Sequence, residues 1–257
     1  MPIPFEPIVF GLKIPVHLVL EYLAFFIAFR YYLWLRKKSD DQISNKNRLS
    51  IILGAIVGAF AGSRLIGYLE NPMIELNPRN IIHLLNTKSI MGGLFGGLLG
   101  VESAKLFIGE KQSSGDLFTY PIIAGIIIGR VGCFLSGIKE FTYGTTTTFF
   151  TGMNLGDGML RHPTALYEIV FLTLMLVFLR PLRSRSATNN GHLFKIFMIS
   201  YFGFRFLIEF IKPNVFYILG LSSIQWLCIT CWIYYFPTLK KMAKNAYQEI
   251  YILRFHH

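Results

Sequence analysis

Residues 117–135 read LFTYPIIAGIIIGRVGCFL, an apolar run interrupted by a single charge, Arg130. A helix needs roughly 20 such residues to cross the hydrocarbon core of a bilayer, and a buried helix of a soluble domain rarely has so many in sequence. The same pattern recurs at 14–35, 49–69, 90–108, 164–182, 193–211 and 215–236. Over 257 residues, 53% are hydrophobic and only 15% charged, so little chain remains for a soluble domain. The predicted fold is an all-α integral membrane protein: one polytopic domain over 1–257 with about seven transmembrane helices. The run at 14–35 is too long for the core of a signal peptide and carries Glu21 and Arg30, so it reads as a retained span.

The formal net charge is +11. A nucleic-acid binder would carry its bases on a solvated surface; here they sit between apolar runs, as juxtamembrane charges do, and no nucleic-acid partner is expected. Arg36, Lys37, Lys38, Lys46, Arg48, Lys111, Arg180, Arg183, Arg185, Lys240, Lys241, Lys244 and Arg254 fall in one set of loops. The opposite set holds only Lys13, Arg79, Lys88, Lys139, Arg161 and Lys212. Because Lys and Arg concentrate in cytoplasmic loops, the N-terminus is expected outside and the C-terminus in the cytoplasm. The long polar stretch 136–161 between spans four and five then becomes an external loop, expected to be irregular and assigned no chemistry.

Glycines recur every fourth residue at Gly54, Gly58 and Gly62, at Gly92, Gly96 and Gly100, and at Gly125 and Gly129. That spacing puts small residues on one helical face and lets backbones approach in lipid, so spans two, three and four are expected to form the packed centre. Cys133, Cys228 and Cys231 are too few for a disulfide framework, and no cluster completes a metal site around the last two.

A charge deep in a bilayer is costly unless paired or hydrated, and marks a site by default. Arg64, Arg130, Arg205 and Glu209 lie late in outward-running spans, while His17, Glu21, His162 and Glu168 lie early in inward-running ones. All converge on the outer third of the membrane. Several have simpler readings: Arg205 and Glu209, four apart, can neutralise each other; Arg64 can snorkel; His162 can be a loop residue before a Pro163 in the first helical turn. Three arginines nevertheless exceed Glu168 and Glu209, and guanidinium binds phosphate bidentately. The residues therefore predict a phospholipid phosphate site opening toward the outer leaflet.

Four segments carry a resemblance. Gly129-Arg130-Val131-Gly132-Cys133-Phe134 resembles the fourth-segment signature of the prolipoprotein diacylglyceryl transferases. The stretch from Arg161-His162-Pro163 through Leu166-Tyr167-Glu168 is similar to that family's His-Pro-x-x-Leu-Tyr-Glu motif. The stretch from Tyr201 through Arg205 to Glu209 resembles its Tyr-Gly-x-x-Arg-Phe-x-x-Glu segment, and Gly62-Ser63-Arg64 its Gly-x-Arg segment. The resemblance implies transfer of a diacylglyceryl group from phosphatidylglycerol, or a similar anionic phospholipid, to the thiol of a lipobox-containing precursor protein. It implies a multi-pass protein of the bacterial cytoplasmic membrane, with no metal and no organic cofactor. It assigns Arg130, Arg205, Glu209 and His162 to catalysis, and Arg64, Gly92, Gly93, Gly129, Gly132, Tyr167, Glu168 and Tyr201 to substrate binding.

The departures from the family pattern are specific. Met91-Gly92-Gly93 stands where the family has His-Gly-Gly, Cys133 replaces its Asn, and Ser136-Gly137-Ile138 replaces Asn-Gly-Glu. A thioether bears no proton, which leaves His17, Glu21 and His162 as candidate bases. Two other readings stay open: a related transferase with a different acceptor, and a non-catalytic phospholipid-binding or transport protein on the same scaffold.

Overall fold

The computed structural model describes residues 3–39, 41–70, 87–185, 191–213, 218–241 and 243–244. Arg79, Arg254 and the first residues of the seventh apolar run lie outside the described residues. Seven helices follow the apolar runs: α1 Val16–Lys37, α2 Asn45–Glu70, α3 Ile90–Ile108, α4 Asp116–Ser136, α5 Thr164–Arg185, α6 His192–Ile208 and α7 Ser223–Tyr234. The chain is an all-α membrane protein, and among the described residues five helices, α1 to α5, are long and apolar enough to cross a bilayer. The other two are shorter. α6 has 17 residues and tightens into a 3-10 turn over Glu209–Ile211. α7 has only 12, against an apolar run beginning at residue 215, and helix resumes over residues 236–241 after a turn at Tyr235. Its start is fixed by a capping box: the Ser222 hydroxyl accepts from the Gln225 backbone while the Gln225 side chain accepts from Ser222 N–H. That pairing satisfies two otherwise orphaned donors of the first turn.

The glycine ladder sorts the helices into pairs. On α2 and α3, Gly54 faces Gly100, Gly58 faces Gly96 and Gly62 faces Gly92, so closely that a Cβ on Gly58 would lie 2.2 Å from the Gly96 carbonyl oxygen. The fourth span does not join this centre as the spacing predicted. A Cβ on Gly125 of α4 would meet Ala28 of α1 at 3.3 Å, and one on Gly132 would meet the Cα of His17 at the same distance. The α2/α3 and α1/α4 pairs pack extensively within themselves and face each other across a cavity. Behind α4, helices α5, α6 and α7 enclose a core of Leu172, Phe197, Tyr201, Phe202, Ile224 and Cys228. The outer surface is the reverse of a soluble protein's: Phe26, Phe29, Val57, Leu174, Val177 and Phe178 are exposed, an apolar belt of the kind lipid covers.

Residues 137–163 are more ordered than expected. A short antiparallel hairpin pairs β3 Met153–Asn154 with β4 Leu160–Arg161 (β1 Ile8–Val9 and β2 Leu12–Lys13 form another near the N-terminus). The Asn154 side chain accepts from the backbone of Gly156 and Gly158, whose φ of +119° and +79° suit glycine alone. Arg161 donates to Asp157 at 2.6 Å and holds that carboxyl below its ordinary range. The segment is then laced to the bundle: Thr145 N–H donates to the Ile211 carbonyl, and the hydroxyl of Thr164, at the start of α5, to the Thr142 carbonyl at 2.5 Å.

Candidate active site

Charges drawn from four helices meet at one end of the bundle. Arg130, late in α4, donates from Nε to Oε1 of Glu168, early in α5, at 2.7 Å. Arg205, late in α6, donates from Nη1 to the other oxygen of Glu168 at 2.9 Å and from Nη2 to Glu209 at 2.8 Å. The Tyr201 hydroxyl adds a third bond to Glu168 at 2.6 Å. Glu168 and Glu209 are each only 2% exposed, and both arginines are buried as well. Ions so far from water cost several kcal/mol each unless paired and hydrogen-bonded, and this network supplies both. Lys212 extends it, 3.5 Å from Glu209 and 3.8 Å from Glu70.

The surplus of three arginines over two carboxylates is not what the structure holds. Arg130 and Arg205 are matched by Glu168 and Glu209, whereas Arg64 stands apart on α2, donating to the Thr87 carbonyl at 2.7 Å and lying over Phe60. The third cation of the cluster is Lys212, a loop charge by sequence, and Glu70 at the end of α2 balances it. Nε of Arg205 and Nε of Arg64 are both buried without a hydrogen-bond partner among the described residues. A buried donor left unpaired costs about 1–3 kcal/mol, an expense an anion in the cavity would offset.

The cavity, of about 890 Å³, runs between the two helix pairs. Its walls carry Arg64, Arg130, Arg205 and Glu168 among largely apolar neighbours. Gly93, Gly129, His17 and Glu21 also line it, and so does Met91, where the resemblance leads one to look for a base. A Cβ on Gly129 would meet nothing within 4 Å, so this glycine leaves the cavity open. The other expected residues stand back. Tyr201 and Glu209 support the arginines from behind. Gly92 serves packing, since a Cβ there would lie 2.2 Å from the Gly62 carbonyl. Gly132 admits α1. His162 and Tyr167 bond each other at 3.0 Å, and Tyr167 bonds Thr151, in a cluster tied to the 137–163 segment and off the cavity wall. Pro163 precedes α5 and offers its carbonyl to Leu166 and Tyr167 N–H, so it caps the helix where the first-turn reading placed it inside.

Comparison with known proteins bears on this arrangement. The sequence model of the family described as prolipoprotein diacylglyceryl transferase matches residues 7–239. The chain belongs to that family. Its relatives include proteins named phosphatidylglycerol–prolipoprotein diacylglyceryl transferase from Nitratidesulfovibrio vulgaris strain DP4, 31% identical over 76% of this chain and 71% of the relative. The similarly named protein of Wolbachia pipientis wMel is 29% identical over 80% and 82%, and that of Bordetella parapertussis 34% over 70% and 71%. The family assignment covers α1 and α7 as well as the middle of the chain, which alone carries the recognisable motifs. Three site residues were missed in the sequence. Glu140 lies 3.3 Å from His17, Lys88 holds Glu21 at 2.7 Å, and Lys212 joins the buried cluster. The only signal for Lys212 was its position three residues after Glu209, the i,i+3 reach of one helical turn.

Proposed function

We propose that this chain moves the diacylglyceryl group of phosphatidylglycerol onto the lipobox cysteine thiol of a secreted precursor, releasing glycerol phosphate, in the bacterial cytoplasmic membrane. The observation that carries the reading is the buried guanidinium pair, Arg130 and Arg205, joined through Glu168 on the wall of a largely apolar cavity. The names of the relatives support it. The acceptor brings the sulfur, so the chain needs no nucleophile of its own. A sulfur electron pair forms the C–S bond to the glyceryl carbon that bears the phosphate ester. The C–O bond breaks, and its pair stays on the phosphate oxygen. Charge grows on that oxygen in the transition state, where preorganised cations in a dry site stabilise it most. Glu168 and Glu209 fix both guanidinium planes in advance, so neither arginine must reorganise when the charge appears. Glu209 thus orients Arg205, and Arg64 on the facing wall offers a further donor to the headgroup.

The test is an assay of the purified protein in nanodiscs with phosphatidylglycerol and a lipobox peptide. The peptide is expected to gain one diacylglyceryl group for each glycerol phosphate released, and a peptide with Ser in place of Cys to stay unmodified. Absence of both products under conditions where a related enzyme works sinks the reading.

A further inference from the structure

We propose that His17 is the proton acceptor for the incoming thiol and that Glu140 is its positioning residue; the inference rests on the transferase reading above. Attack by sulfur requires the thiolate, and Met91 cannot take its proton. The other candidate bases, Glu21 and His162, and the carboxylates of the buried cluster are engaged or set apart. Lys88 bonds both oxygens of Glu21, at 2.7 and 3.0 Å. The arginines occupy Glu168 and Glu209, and His162 lies off the wall. His17 is different. It lines the cavity with its side chain 27% exposed, and its Nδ1 lies 3.3 Å from Glu140 Oε1. With Nδ1–H donating to that carboxylate, Nε2 presents its lone pair as an acceptor, toward which only a weak thiol donor, Cys133, is turned, the logic by which a carboxylate sets the tautomer of an imidazole base.

The direction in which Nε2 points is marked by a sulfur. Cys133 Sγ lies 3.5 Å from Nε2 and 3.8 Å from Nη1 of Arg130. A second sulfur arriving beside the Arg130 guanidinium therefore comes within reach of the same nitrogen. Gly132 makes this possible: α1 approaches α4 so closely there that a Cβ would meet His17 Cα at 3.3 Å. In the step, Nε2 takes the S–H proton of the acceptor, sulfur bonds to the glyceryl carbon, and the phosphate departs with the C–O pair. The proton then leaves His17 for the departing phosphate or water. Cys133 itself is not the nucleophile, because a thioether formed on it would end turnover.

The charged and titratable groups facing His17 are Cys133 and Arg130 from α4, Glu140 from the segment after it, and Glu21 with its partner Lys88 from α1 and the start of α3. The test measures initial rates against pH for wild type, His17→Gln and Glu140→Gln, with retained phosphatidylglycerol as the control for folding. Wild type is expected to lose activity on the acidic side as the imidazole protonates. His17→Gln is expected to lower kcat by about 10² or more with KM for the lipid unchanged. The variant should then recover only as the peptide thiol ionises unaided, near pH 8.5. Glu140→Gln is expected to lower kcat about tenfold, keeping the acidic limb and KM, as loss of an orienting carboxylate should. An active wild type with His17→Gln within threefold of it and the same profile overturns the assignment alone. A wild type that consumes no phosphatidylglycerol overturns the transferase reading, and this one with it.

Discussion

Arg130 uses Nε for Glu168 and Nη1 for Cys133, which makes its replacement a test of two roles at once. Arg130→Ala is expected to lower glycerol phosphate release by more than about 10²-fold if the guanidinium stabilises the leaving group, while the protein still inserts and is recovered in detergent. Near-normal turnover would remove Arg130 from the chemistry. A second residue-scale prediction concerns the other end of α1. Asp41, with its side chain 8% exposed, accepts from Nε of Arg36 at 2.9 Å, from Nε of Arg48 at 3.1 Å and from a second Arg48 nitrogen. Burial raises the Asp41 carboxyl, but the two guanidiniums more than offset this and leave it below its ordinary range. A depressed folded value means the stabilisation is present above the unfolded pKa, about 3.9, and drains away as pH falls through the folded one. Asp41→Asn is therefore expected to lower the thermal midpoint at pH 7, with the difference from wild type closing as pH drops below about 4. An equal deficit at both pH values would show that packing, not charge, is lost. Of the residues of this scale that escaped the sequence, Glu140 and Lys88 meet partners far along the chain, which no spacing rule encodes, while Lys212 carried only its i,i+3 spacing from Glu209.

Helices α2 and α3 owe their contact to six glycines, and one outcome separates packing glycines from cavity glycines. A Cβ at Gly96 would stand 2.3 Å from the Gly58 carbonyl oxygen, a backbone atom that moves only with its helix. Gly96→Ala is expected to destabilise the protein by about 1–3 kcal/mol, as overpacking does, read as a lower midpoint of unfolding in mixed micelles. Gly129→Leu is expected to leave that midpoint unchanged or raised, because its Cβ meets nothing within 4 Å and leucine favours helix over glycine by up to about 1 kcal/mol. It should nevertheless cut phosphatidylglycerol turnover at least tenfold, since the side chain must stand in the cavity. If Gly129→Leu turns over normally, the donor does not lie there. The apolar runs of the first five spans were legible because a span is a property of one segment against lipid. The pairing of α4 with α1 was not, because a four-residue glycine period states that a face is small without stating which helix meets it. The start of α7 was likewise invisible to hydropathy: a capping box set it, within a run that remains apolar on either side.

For the whole molecule, orientation decides whether the site can meet a secreted precursor. The cavity carries His17, Glu21, Glu140 and Lys212 toward one end and Glu102, Ser113 and Lys195 toward the other. The first end is where the 137–163 segment is laced to the bundle. The excess of Lys and Arg in the alternate loops predicts that this end faces outside, on the side where an exported acceptor would arrive and where the outer leaflet would supply lipid. Cysteine labelling tests this directly, because Cys133, Cys228 and Cys231 are all buried and should give little background. Phe150 is 87% exposed on the predicted external segment, and Lys111 is exposed between α3 and α4. In right-side-out vesicles, Phe150→Cys is expected to react with a membrane-impermeant maleimide at once, and Lys111→Cys only after the membrane is opened. The reverse pattern would turn the mouth of the cavity, with Arg130, Arg205 and His17, toward the cytoplasm. A thiol presented from outside could not then reach it, and a clamp of the same geometry would have to serve a cytoplasmic acceptor.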